Sequence, residues 1–244
     1  ASFRAFTAQP QLRQKHRLSS SGRSPDVIPT LLAISIGQPC VIGERGSEKV
    51  ESGIVKRPVL GGVEIGPMSV SGDSQVDLIN HGGADKAVYA YDRGDYLFWE
   101  ERLGRKLPPG TFGENLTVEG LPSDIVRVGD RYRIGTVLLE VTQPRVPCYK
   151  LGMKMGDSHF PAAFAKALRV GFYLRVINPG TLTAGETIAI EHRADTPLSI
   201  ADLMNTYLTG HQDAEKLTAI VALPELATAW REELSLRLAK LNKA

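Results

Sequence analysis

The stretch QPRVPCYKL, residues 143–151, holds one of only two cysteines in the chain. Arg145 lies three residues before Cys148, Lys150 two after it, and Pro144 and Pro147 stiffen the approach. A thiolate is a nucleophile and a soft metal ligand, and cations nearby favour it over the thiol. A cysteine without such company usually packs as a small buried apolar residue. Three further segments carry more polar residues and glycine than packing requires. GIVKRPV places Lys56 and Arg57 on a strand that ends at a proline. SGDSQVDLINHGGADKAVYAY gathers Asp73, Asp77, His81, Asp85 and Lys86 around Gly82-Gly83, and GTFGENLTVEGL is a glycine-bounded turn carrying Glu114 and Asn115. Each also has a plain structural reading: a solvated strand edge for Lys56-Arg57, and turn-holding hydrogen bonds for His81 and Asn115.

Several site types lack their spacing. No CxxC or HExxH pattern supports a zinc site, no GxSxG marks a nucleophile elbow, and neither a P-loop nor GxGxxG opens a helix. A Cys/His hydrolase using Cys148 with His81 or His159 stays open, because the sequence does not fix those distances.

The elements that position these residues read as a β-rich body followed by helices. PTLLAISIGQPCVI gives a strand and a turn, and VESGIVKRPVLGGVEI two short strands whose Gly61-Gly62 signals a hairpin. RYRIGTVLLEVTQP alternates through Val137, Leu139 and Val141. GFYLRVINPGTLTAGETIAI reads as a strand, a Pro-Gly turn and a closing strand. Helical spacing in DRGDYLFWEERLG joins Tyr96, Trp99 and Leu103 between an Asp92 cap and a Gly104 stop. FPAAFAKALRVG has Pro161 in a first turn with Phe164 and Leu168 one turn apart. Both helices are expected to cover a barrel mouth or sheet face. Past Arg193 glycine thins out and the period turns helical. Ser199 with Asp202 makes a capping box, Asp213 caps AEKLTAIVAL, and Pro224 opens a last helix striped by Ala227, Trp230, Leu234, Leu238 and Leu241. The expected organisation is a basic, disordered tail (1–29), a mainly β domain (30–193) and a small three-helix bundle (194–244).

Bulk properties restrict the partners. A formal net charge of +2 over 244 residues, with acids and bases interspersed, predicts no nucleic-acid partner. No apolar run approaches the ~18–20 residues that cross a bilayer, so no membrane role is expected. Two cysteines are too few for a secreted disulfide framework, and both read as reduced thiols in the cytoplasm. The acid-free start, with Arg4, Arg13, Lys15, Arg17 and Arg23, leaves organelle targeting as the alternative to a plain tail.

Taken in order and spacing, GDSQVDLINHGGADKAVYAY, FGENLTV, VGDRYRIG and LEVTQPRVPCYKL resemble the MOSC family, named after the C-terminal domain of molybdenum cofactor sulfurases. PLSIADLMNTYL and the helical segments after it resemble the three-helix appendage of its YiiM-like branch. The resemblance spans roughly residues 30–240 and implies a β-barrel-like domain that handles a molybdenum–pterin cofactor or carries sulfur on one cysteine. The matching cysteine is Cys148, either a molybdenum ligand or the bearer of a persulfide. The first case implies a reductase of small N-hydroxylated compounds such as 6-hydroxylaminopurine. It also implies a separate electron-donor protein, since no flavin or iron–sulfur motif is present. In the second, the chain is a sulfur-carrier module without redox turnover. A third reading is a non-catalytic module whose helices dock a partner. Under the resemblance Arg145, Lys56 and Arg57 are candidates for the cofactor's phosphate, and Asn115 for the pterin edge. Asp73 would brace Lys86 or Lys56. His81 would supply a proton or hold the glycine loop in shape. The exposed face of the helices would serve a homodimer or the electron donor.

Overall fold

The computed structural model describes residues 27–74, 82–209 and 213–242. The basic start, through residue 26, and His81 lie outside the described residues.

Eight strands form one mixed sheet in the order β12-β8-β9-β10-β6-β7-β1-β4. These are β1 (Thr30–Ile36), β4 (Arg57–Val59), β6 (Val88–Asp92), β7 (Leu116–Glu119), β8 (Arg131–Ile134), β9 (Val137–Pro144), β10 (Phe172–Asn178) and β12 (Ile188–His192). Two ribbons flank it: β2 (Cys40–Arg45) with β3 (Glu48–Ser52), and β5 (Val63–Ile65) with β11 (Gly180–Leu182). Every residue of β9 is buried, as expected of a strand covered on both faces. The sheet curls until the lead-in to β12 meets β1, with Ile188 N–H on Pro29 O at 2.7 Å and a single Thr30–Thr187 bridge. Among the described residues no ladder closes this gap, so the domain is barrel-like and open.

The hairpin expected at Gly61-Gly62 is not formed. Residues around Gly61-Gly62 do turn, with Gly61 at φ +82°, but β4 pairs with β1 and β5 pairs with β11. Pro58 has no N–H to donate, which suits β4 to a sheet edge rather than to a ladder on both sides. After Pro179 the chain likewise leaves β10 and pairs with β5. Turn chemistry is local, whereas partner choice is set by distant strands.

Helix α1 (Arg93–Leu103) starts where Asp92 accepts the Gly94 N–H at 2.7 Å and stops at left-handed Gly104. Its Tyr96 and Trp99 are buried, while Leu103 stays at the surface. Trp99 stacks on Phe164 of helix α3 (Phe160–Lys166) at 5.5 Å, and Phe112 lies 4.8 Å from Tyr91, so both helices cap the sheet through one aromatic cluster. Between them runs a helix that the sequence reading missed, α2 (Tyr149–Met155), beginning directly after Cys148. Proline restrains the residue before it, so Pro147 keeps Val146 out of the helical region but leaves Tyr149 free to start one.

The C-terminal helices are α4 (Ile200–Thr209), α5 (Ala214–Val221) and α6 (Thr228–Leu241). Ser199 and Asp202 form the expected capping box: each backbone N–H reaches the other's side chain, at 2.9 and 3.2 Å. Asp213 accepts the Lys216 N–H at 3.0 Å. Pro224 lies before α6, not in its first turn, because the helix starts at Thr228. No helix among the described residues is long and apolar enough to cross a membrane.

Candidate functional site: a cationic cleft around Cys148

Strand β9 runs out of the core at Pro144 and delivers Arg145, then Cys148. The latter is half-buried in an extended conformation (φ −112°, ψ 172°) just before α2. Cys148 lines an open cleft together with Lys56, Asp73, Lys86, Tyr89, Asn115, Arg145, Lys150 and Tyr173. Four of these side chains are cationic and one is acidic.

The acid is already neutralised. Asp73 accepts from the Lys56 ammonium and from the Gly37 N–H at 2.8 Å through one oxygen, and from Asn115 Nδ2 at 2.9 Å through the other. The Lys56 and Asp73 side chains are only 7% and 3% exposed. Burial pulls the Lys56 pKa down while Asp73 holds it up. Asn115 also donates to Ser35 O at 3.3 Å and accepts the Tyr89 N–H at 3.2 Å, so both its amide hydrogens are committed within the protein. Beside it, buried Glu114 accepts from Tyr96 OH, the Gly110 and Phe112 N–H groups and Thr117 Oγ1, fixing the GEN turn.

Arg145 is in the opposite condition. It is 4% exposed, its guanidinium sits 5.6 Å above both the Tyr89 and Phe164 rings, and its Nη1 is buried with no hydrogen-bond partner. An orphaned charged donor costs several kcal/mol unless a ligand satisfies it. Burial raises the Tyr173 phenol pKa, with Arg145 opposing and Cys148 adding to the rise, which places Tyr173 in the field of both. Lys154, in the last turn of α2 and six residues beyond the thiol, donates to Ile54 O at 2.8 Å and Gly110 O at 2.6 Å. Burial pulls its pKa down to about 8, against Glu114 and with help from Lys56 and Arg145.

Seven of the residues singled out by sequence therefore share one cleft: Lys56, Asp73, Lys86, Asn115, Arg145, Cys148 and Lys150. Of the two partners expected for Asp73, Lys56 is the one bonded. Arg57 is not in the cleft; it is exposed on β4 opposite Ile36, as a solvated edge residue would be. Asp85 points elsewhere, toward Arg175 and α6. Tyr89, Tyr173 and Lys154 were missed, the tyrosines because only the pairing of β6 with β10 sets them side by side, and Lys154 because its helix was not expected. The alternation of Tyr89 with Tyr91 was the one available signal.

A half-buried thiol and a buried guanidinium with one nitrogen left without a partner share a cationic cleft at the edge of a half-open β domain. The comparisons with known proteins agree in fold and motif. The MOSC domain matches residues 77–189, and the YiiM-like, 3-alpha helix domain matches residues 198–241. The YflK protein of Bacillus subtilis (strain 168) is 37% identical over 207 residues, 83% of this chain and 91% of that one. The crystal structure of YiiM from Geobacillus stearothermophilus superposes with a TM-score of 0.73 at 34% identity, covering 86% of this chain and 99% of that one. A protein named reductase from Gibberella moniliformis is 30% identical over 193 residues, of which this chain spans 33% of the length. The chain belongs to the MOSC family, in its YiiM-like branch.

Proposed function

We propose that the cleft holds a molybdenum–pterin cofactor and that the protein reduces small N-hydroxylated compounds, with electrons from a separate donor protein. The observation that carries this reading is the pairing of a half-buried thiol with a buried, unpartnered Arg145 Nη1 in one cationic cleft. The residues fit such a group. Among the described residues no three His, Cys, Asp or Glu side chains gather to hold a metal by themselves. A lone thiolate suits a metal that arrives with sulfur ligands of its own. When bound, the cofactor supplies the two-electron exchange at an N–OH group, which with two protons yields the amine and water. The chain's own part is to bind and orient. Cys148 would be the metal ligand, and Arg145 would offer its unpartnered Nη1 to the cofactor's phosphate. Lys86 and Lys150 line the same cleft as the thiol, and the Tyr89 and Tyr173 rings, 5.3 Å apart, form one wall of it. The reductase relative is consistent with redox chemistry, although this chain spans a third of it.

The test is to purify the protein from a host that makes the cofactor, measuring molybdenum by mass spectrometry and released pterin by fluorescence. Near-stoichiometric metal is expected in the wild type. Cys148→Ala and Arg145→Met should each lose most of it while remaining folded. A metal-free wild type with cyanide-labile sulfur on Cys148 would replace this reading with the sulfur-carrier one.

A further inference from the structure

The 3-10 turn Ala84–Lys86 brings Lys86 to the cleft, yet its central residue Asp85 turns away. One Asp85 oxygen receives Arg175 Nη2 at 2.5 Å and Nε at 3.0 Å; the other receives the N–H of Thr228, the first residue of α6, at 3.0 Å. The Asp85 carbonyl accepts from Thr142 Oγ1 at 2.6 Å, and the Thr142 carbonyl accepts the Ala227 N–H at 3.1 Å. Arg175 is itself shared, reaching Glu140 at 2.9 Å and the Glu225 carbonyl at 3.4 Å. Each of these ties through Asp85 thus ends on the central sheet or at the start of the last helix. Nothing about packing a three-helix unit on a sheet requires its helix to hold a loop that supplies a cleft cation.

We infer that Asp85 is a positioning residue: by bridging Arg175 and the first N–H of α6, it couples the C-terminal helical unit to the cleft and sets Lys86 beside Cys148. A shift of α6, whatever its source, would then be felt as a change of positive charge around the thiol. This goes beyond the proposed activity and requires the cleft but not its occupant.

Cys148 itself is the reporter. In the 244-residue chain made without cofactor and carrying Cys40→Ser, it is the single remaining thiol. Its reaction rate is measured with dithiobis-nitrobenzoate, which bears two carboxylates, and with uncharged dithiodipyridine. The ratio of the two rates reads local charge and cancels changes in thiolate fraction. Lys86→Met sets the scale, with an expected fall of about threefold or more at low salt that shrinks at high salt. Thr228→Pro removes only the N–H, at a helix position where proline is tolerated, and Ala227 already has the extended backbone (φ −52°, ψ 138°) that a proline at 228 demands. It should reproduce at least half of the Lys86→Met effect on a logarithmic scale, whereas Thr228→Ala, which keeps the N–H, should leave the ratio unchanged. Asp85→Asn gives a second check through its sign. Losing a negative charge should by itself raise the ratio, so a fall means that Lys86 has moved. A wild-type ratio in Thr228→Pro, or a raised one in Asp85→Asn, would overturn the coupling even if both variants melt at lower temperature.

Discussion

A lysine ammonium withdrawn from water is tolerable only with a charged partner in place, and in this cleft Lys56 has just Asp73 bonded to it. Asp73→Ala should therefore destabilise the fold by about 3 kcal/mol or more in urea unfolding, in the range for breaking a buried ion pair from one side. Adding Lys56→Met should recover much of that loss, because the stranded charge goes with it. If the double variant is no more stable than Asp73→Ala, the cost lies in the Gly37 and Asn115 hydrogen bonds and not in the charge. The surplus of Lys, Asp and Asn around glycine made these residues visible in the sequence, and the Asp73–Lys56 pairing was among the expected ones. The commitment of both Asn115 hydrogens was not visible, because Ser35 lies 80 residues away along the chain. Nor could the sequence separate Lys56, which lines the cleft, from its neighbour Arg57 on the outer edge. Both were expected on one strand, but Lys56 lies just before β4 and Arg57 is its first residue, and only the elements packed around them decide which side chain turns inward.

Helix α2 matters as an element because its last turn fastens the cleft. Lys154 ties it to the carbonyls of Ile54 and Gly110, on two loops that approach from different parts of the chain. Its pKa near 8 lies below the 10.5 of a free lysine. Between those values the unfolded chain binds the proton more than the folded one does, so stability should rise with pH. The gain should be about 1 kcal/mol between pH 8 and pH 9, seen as the difference between wild type and Lys154→Met in urea melts at each pH. A flat difference over that window would mean that the ammonium is not held in the low-dielectric site. The caps of this fold were legible from single residues: Asp92, Gly104, Ser199 with Asp202, and Asp213. The helix after Cys148 was not, since its seven residues carry no capping side chain and come after two prolines. The hairpin at Gly61-Gly62 was also misread, because a glycine pair specifies a turn but not the distant strand that each arm pairs with.

At the scale of the whole molecule, the change to helical periodicity near Arg193 marked the C-terminal unit correctly as three helices but not its attachment. That attachment is continuous with the fold. Ile200 and Ala201 donate to the Val126 and Ser123 carbonyls, each at 2.8 Å, and Leu203, Met204, Leu217, Ile220 and Trp230 belong to the same buried cluster as Tyr91 and Phe172. One apolar cluster shared by both parts should unfold as one cooperative unit. The chain's two tryptophans make this measurable, since Trp99 sits in the aromatic cap over the sheet and Trp230 packs 5.1 Å from Tyr207 among the helices. Trp230→Phe leaves a reporter in the β domain, and Trp99→Phe leaves one in the helical unit. Each substitution shifts the midpoint for its own reasons, so the comparison is made within each protein, between tryptophan fluorescence and far-ultraviolet circular dichroism. Coincident transitions are expected in both. A helical reporter that melts at lower urea than the ellipticity of the same protein would mean an autonomous bundle resting on the sheet, and the ties from α6 to the glycine loop would then open before the domain they hold.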